Sequence, residues 1–138
     1  MLIRRRDSIL EICQILEEAK NIAVVGISSN PNRTSRIIAD FLVRMGYNVV
    51  GVNPGKPKIE GIEVFANLKD IPFEIDIIDV FRKPVDIPQL IPDVLAVNPK
   101  VLWLQLGIRN DDAVEPVIKR GIKTVQDKCI KIEHGICF

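Results

Sequence analysis

The stretch Ile22–Arg36, "IAVVGISSNPNRTSR", gathers in a short space the group types that hold phosphate. An apolar run ends in Gly26, and Ile27, Ser28, Ser29, Pro31, Arg33, Thr34, Ser35 and Arg36 follow. A glycine at a strand end lets the backbone turn tightly. The amides that open the next helix favour an anion. Ser28, Thr34 and Ser35 add hydroxyl donors, and Arg33 or Arg36 suits charge-assisted bonds to phosphate oxygens. Pro31 stiffens the loop. The alternative for the hydroxyls is plain helix capping, and for the arginines plain solvation. Arg33, closer to the loop, is the better candidate of the two.

The two common nucleotide loops do not match. The dinucleotide fingerprint G-x-G-x-x-G needs two more glycines, and an acid at the end of the second strand to hold a ribose 2′-hydroxyl. Only Gly26 is present, and Asn53 followed by Pro54 stands where the acid belongs. This argues against NAD. No segment fits G-x-x-x-x-G-K-[ST] either.

The elements that position this loop follow from periodicity. Asp7 or Ser8 is expected to cap a helix reaching about Lys20, with Ile9, Ile12, Cys13, Ile15 and Leu16 at helical spacing. "IAVVGI" is a continuous apolar run of the kind found in a parallel strand buried on both faces. A helix over about Thr34–Met45 follows, closed by Gly46. Further strands are expected in "YNVVGV", "EIDIIDVF", "KVLWLQL" and "IKTVQD". Helices lie between them: one with Pro84 near its first turn, and one capped by Asn110 and ended by Gly121. The connection from 55 to 73 holds only a short extended piece, "GIEVF", and one helical turn near Leu68. Strands alternating with helices, without tight hairpins, predict an α/β fold with a doubly wound, five-stranded parallel sheet, Rossmann-like, and helices on both faces. With no internal repeat and no linker, 1–138 reads as one domain, in which 1–20 is an amphipathic N-terminal helix.

In such sheets a ligand lies beyond the carboxyl ends of the strands. Nearly every loop on that edge brings a cation: Arg33 and Arg36, Lys56 and Lys58, Arg82 and Lys83, and Arg109. The net charge is only +1, so the positive charge is local. That points to a ligand with several negative charges and gives no reason to expect nucleic acid or an anionic membrane as partner. Apolar residues at 47% and charged residues at 27% are the balance of a globular protein. No run approaches the roughly eighteen apolar residues of a membrane span. The N-terminus reads as an amphipathic helix and not as an export signal. Three cysteines cannot all pair, so a cytoplasmic protein with reduced thiols is expected.

"VVGISSNPNRTS", "VVGVNPGK", "DVFRKP", "WLQLGIRN" and "DKCIKIEH", in that order over about residues 20–135, resemble the small single-domain CoA-binding protein family. That family is similar in fold to the CoA-binding domain of the succinyl-CoA synthetase alpha subunit. The resemblance implies a Rossmann-like domain holding coenzyme A, or an acyl-CoA, by its nucleotide end. It implies Gly26, Ile27 and Ser28 under the pyrophosphate, and Arg33, Thr34 and Ser35 as phosphate contacts. It implies Asn53, Pro54 and Lys56 at the end of the second strand, Phe81 and Arg82 beside adenine and ribose, and Gly107 with Ile108 approaching from the fourth. A pyrophosphate and a ribose 3′-phosphate suit cations at these strand ends better than a carboxylate.

No residue pattern predicts catalysis. The resembled synthetase uses a phosphorylated histidine in a second domain, which this chain lacks. The one histidine, His134, reads as a partly exposed tail residue. There is no G-x-S-x-G elbow. Asp76 and Asp79, set among apolar strand residues, look structural. Cys129, His134 and Cys137 with Glu133 match no common zinc pattern. Two rival readings remain. One is an acyl-CoA or thiol-transfer enzyme working through Cys129, if its pKa were lowered by Lys128 or Lys131. The other is a CoA-sensing interaction module, with the N-terminal helix contacting a partner or forming a homodimer. Trp103 is expected in the core, and Gln105 needs a hydrogen-bond partner if buried.

Overall fold

In the computed structural model the backbone is described from Leu2 to Phe138, and side chains from Ser8 onward. Six strands form one parallel sheet: β1 (Asn21–Val25), β2 (Asn48–Val52), β3 (Glu63–Phe65), β4 (Ile77–Val80), β5 (Val101–Leu104) and β6 (Lys123–Val125). Their spatial order is β3-β2-β1-β4-β5-β6, which reverses direction between β1 and β4. That crevice is the topological switch point where ligands of open α/β sheets bind. The helices are α1 (Leu2–Glu18), α2 (Thr34–Arg44), α3 (Ile87–Val97), α4 (Asp111–Lys119) and α5 (Ile130–Cys137).

The sheet is Rossmann-like as expected, with one strand more. β3 pairs with β2 at the sheet's outer edge. It has only three residues, none fully buried, so no apolar run marks it. Two apolar clusters cover the two faces. Alternation along each strand sends Ile22, Val24, Ile77 and Trp103 to the face under α1, α2 and α5. Ala23, Val25, Ile78 and Leu102 go to the face under α3 and α4.

Other expectations are corrected. α1 begins at Leu2, so Asp7 and Ser8 lie within the helix and not at its start. The arginines before them are good helix formers and give the helix no reason to stop. Pro84 opens a 3₁₀ turn (Pro84–Asp86), and α3 follows it with Pro88 in its tolerated first turn. Residues 130–137, read as a tail, form α5. Eight residues are too few for a stable isolated helix, and α5 owes its existence to docking against α1 and α2. His134 is accordingly packed, its ring centroid 5.4 Å from Phe41, 6.1 Å from Tyr47 and 4.8 Å from Phe138.

The thiols are not all reduced. Cys13 of α1 is disulfide-bonded to Cys137 of α5, with Cα atoms 5.3 Å apart across 124 residues of chain. Nothing local in the sequence brings these positions together, and only the meeting of the two terminal helices does. Cys129 stays free, half-buried against the same apolar face. Trp103 is fully buried, its indole N–H donating to the Lys128 carbonyl at 2.8 Å. Buried Gln105 finds its partner in the Ile130 amide at 3.1 Å, and this fixes the start of α5.

Candidate functional site

The loop after β1 is set by contacts that only particular residues allow. Gly26 has φ +86°, and a Cβ there would overlap the carbonyl oxygen of Phe81, which follows β4. The two central strands can therefore close at the switch point only with glycine in this place. Gly51 in β2 does the same for Ile27, whose methyl group would lie 2.6 Å from a Cβ at that position. Ile27 is thus buried under the loop, turning Ser28 and its successors outward.

The loop then holds itself. The Ser28 amide donates to Ser35 Oγ at 3.1 Å, the Asn30 amide to Ser28 Oγ at 3.0 Å, and the Asn32 amide to Asn30 Oδ1 at 3.0 Å. Arg36 is committed to structure: its guanidinium donates to the Ser29 carbonyl at 2.8 Å and pairs with Asp40 at 3.1 Å. Arg33 sits at the N-cap position of α2, and no side chain caps the helix. The first amides of α2 therefore open on the cleft with the positive end of the helix dipole behind them.

Asn53 ties the two loops together. Its Nδ2 donates to the Ile27 carbonyl at 2.9 Å, and its Oδ1 accepts from the Gly55 amide at 2.9 Å. An acid here would lose the first bond, which explains why this position does not follow the dinucleotide pattern. Lys56 ends the turn with its backbone in the left-handed region, φ +46°, uncommon for a residue with a side chain.

These residues line a cleft of about 570 Å³. Of the expected site residues, Gly26, Ile27, Ser28, Arg33, Thr34, Ser35, Asn53 and Phe81 come together in it, joined by Ser29, Gly55 and Pro57. Pro57 was not expected; a proline two residues past a turn carries no local mark of a site. Pro54 and Arg82 line a neighbouring hollow of about 400 Å³ with Gln89, and Lys56 lines a third with Lys58. Gly107 and Ile108 line none of the three. They are tied to the loop after β6, the Gly107 amide donating to Asp127 Oδ1 at 2.6 Å and the Asp127 amide to the Ile108 carbonyl at 3.1 Å. Arg109 is paired with Asp111. Among the described residues, Arg33, Lys56, Lys58, Arg82 and Lys83 make no ion pair, so five cations of this edge stand free. A further cleft at the amino edge of the sheet holds Lys100 and Lys123, but each already faces an acid, Asp76 and Glu11.

Behind the site lies a buried acid. Asp79 of β4 is opposite Val24 and Trp103 in register, wholly buried, and neither carboxylate oxygen has a hydrogen-bond partner. Burial pushes its pKa well above the usual carboxylate range, so the neutral acid is favoured. Asp76, three residues earlier, behaves oppositely. Burial would raise it, but the amides of Asn21 and Lys20, each at 2.8 Å, and the Lys100 ammonium hold its pKa below the ordinary value. The two acids are held in different states by different surroundings, and they do not face the cleft as a pair. No group of three or more His, Cys, Asp or Glu that would hold a metal occurs among the described residues, and no helix among them is long and apolar enough to cross a membrane.

Comparison with known proteins adds to this geometry. The model of the CoA binding domain family matches residues 20–135. The uncharacterized protein YneT of Bacillus subtilis is 35% identical over 126 residues, covering 91% of this chain and 93% of its own length. A Thermus thermophilus structure, cell-free ID.343, superposes with a TM-score of 0.90 at 36% identity, over 94% of this chain and 98% of the other. A hypothetical protein from Pyrococcus horikoshii superposes with a TM-score of 0.89 at 30% identity, over 94% and 91%.

Proposed function

The chain belongs to the CoA binding domain family, and from that premise we propose that it binds coenzyme A at the switch point by its phosphates. The observation that carries this reading is the open start of α2: amides without a side-chain cap face a cleft that Arg33 lines, while Lys56, Lys58 and Arg82 line two further hollows. A polyanion completes both at once.

The residues present fit the group. The pyrophosphate belongs over Gly26, Ile27 and Ser28, with Thr34, Ser35 and Arg33 as donors. Lys56, Pro54 and Asn53 sit where the ribose 3′-phosphate is taken, and Phe81 with Arg82 borders the base. Asn53 acts chiefly by holding the two phosphate loops at a fixed separation. When bound, coenzyme A supplies a thiol that carries an acyl group, and this chain's residues bind and orient it without a catalytic group of their own. Cys129, packed half-buried against the core, is no part of the cleft.

Calorimetric titration with coenzyme A, 3′-dephospho-CoA and NAD tests the proposal. Coenzyme A is expected to bind at about micromolar strength, more weakly without the 3′-phosphate, and NAD not at all. Binding of NAD equal to that of coenzyme A would refute the reading.

A further inference from the structure

The outer surface of the α1–α5–α2 layer has no role in the nucleotide site, yet it is the most apolar part of the surface. Of the eleven large hydrophobic residues exposed among the described residues, eight lie on these three helices or at their ends. α5 runs between the other two helices, packed against each and bonded to α1 by the Cys13–Cys137 disulfide. Ile132 and Ile136 of α5, one turn apart, are 56% and 62% exposed. Leu10 of α1 flanks them at 65%. On the other side lie Ile37 and Met45, four residues either side of Phe41, whose ring meets His134 of α5. Exposed apolar side chains gathered on three adjacent helices, and not scattered singly, are the pattern that marks an interaction surface.

A second feature sits at the centre of this face. Gly135 lies inside α5 between the two isoleucines, and a Cβ built on it meets nothing within 4 Å. A helix-interior glycine with open space above it weakens the helix and gains the monomer nothing. Its use is at a crossing, where the missing side chain lets a second helix approach closely.

We infer that a second copy of this chain covers the face, in a two-fold dimer whose axis runs along α5 with the helices crossing at Gly135. Charge agrees with this arrangement. The exposed end of α1 carries Glu17, while the corresponding end of α2 carries Arg44. A two-fold along α5 sets α1 of one copy against α2 of the other, acid to base. The cleft at the switch point stays open, since it lies at the carboxyl edge of the sheet and not on the helical layer.

The test is sedimentation of the full chain with its disulfide intact. The wild type is expected to be a dimer at micromolar concentration. Changing Ile132→Glu and Ile136→Glu together should weaken association on the order of 100-fold while leaving the circular dichroism unchanged, because both side chains already face solvent in the monomer. Gly135→Ala should weaken the dimer too, whereas on a free helix face it would only raise thermal stability. Arg44→Glu should weaken it, and Arg44→Glu with Glu17→Arg should restore it. A wild type that remains monomeric at about 100 μM, or a dimer indifferent to the isoleucine changes, overturns the inference. A charge swap without rescue overturns the axis along α5.

Discussion

Asp79→Asn is expected to change the pH dependence of folding in a way that isolates one buried acid. In the unfolded chain Asp79 loses its proton near pH 4, the ordinary carboxyl value. In the folded chain it is enclosed between Val24 and Trp103 with no partner for either oxygen, and its pKa lies well above that. The folded state therefore holds a proton that the unfolded state has released. Its contribution is fully favourable below the unfolded pKa and is lost as pH rises towards the folded one. The loss is about 1.36 kcal/mol for each pH unit between the two values, to be set against the roughly 5–15 kcal/mol that holds a typical domain. Asparagine carries no proton to lose. It leaves a buried unpartnered amide, which costs roughly 1–3 kcal/mol at every pH. Urea unfolding of both proteins from pH 4 to 9 measures the difference. The variant should be the less stable near pH 4 and gain on the wild type at up to about 1.4 kcal/mol per unit above it. Subtraction cancels Asp76, whose lowered pKa works the other way by losing stability as pH falls. A difference that stays flat across the range would mean that Asp79 is partnered or ionised in the fold, and the reasoning would fail.

Three further outcomes are expected. Reducing the Cys13–Cys137 disulfide, which closes 124 residues of chain, should cost about 2–5 kcal/mol of stability in denaturant titration; no change on adding reductant would show that the thiols do not pair. Asn53→Asp replaces the donor to the Ile27 carbonyl with a charge beside the phosphate loop, and should cost about 1–3 kcal/mol of stability and weaken coenzyme A in calorimetry. Lys56→Gly relieves a left-handed backbone worth about 1–2 kcal/mol, so it should melt no lower than the wild type while binding coenzyme A more weakly. Unchanged affinity would remove Lys56 from the site.

Much of the architecture is legible in the linear order. β1 and β5 carry apolar runs because both their faces are buried, β4 does so apart from Asp79, and that pattern needs no partner to be seen. Asn110 capping α4, by accepting from the Ala113 amide at 3.1 Å, is equally local. β3 is legible only as the short extended piece "GIEVF" and not as a sheet strand, since one exposed and two half-buried residues at a sheet edge make no buried apolar run. α5 is not legible because its stability comes from docking. Gly26, Ser28 and Arg33 are close in sequence, so their meeting in one cleft is legible from the chain order. The tie of Gly107 to Asp127 joins residues 20 positions apart and carries no local mark.

Residue type and spacing by themselves determined the doubly wound sheet, the glycine turn after β1 and the basic edge, because apolar period, turn chemistry and helix starts act over a few residues. Tertiary structure alone decided that Asn53 clamps two loops, that Asp79 is sealed without a partner, that Cys13 reaches Cys137, and which helices leave an apolar face. Each of these depends on residues far apart in the chain, and only packing sets the distance between them.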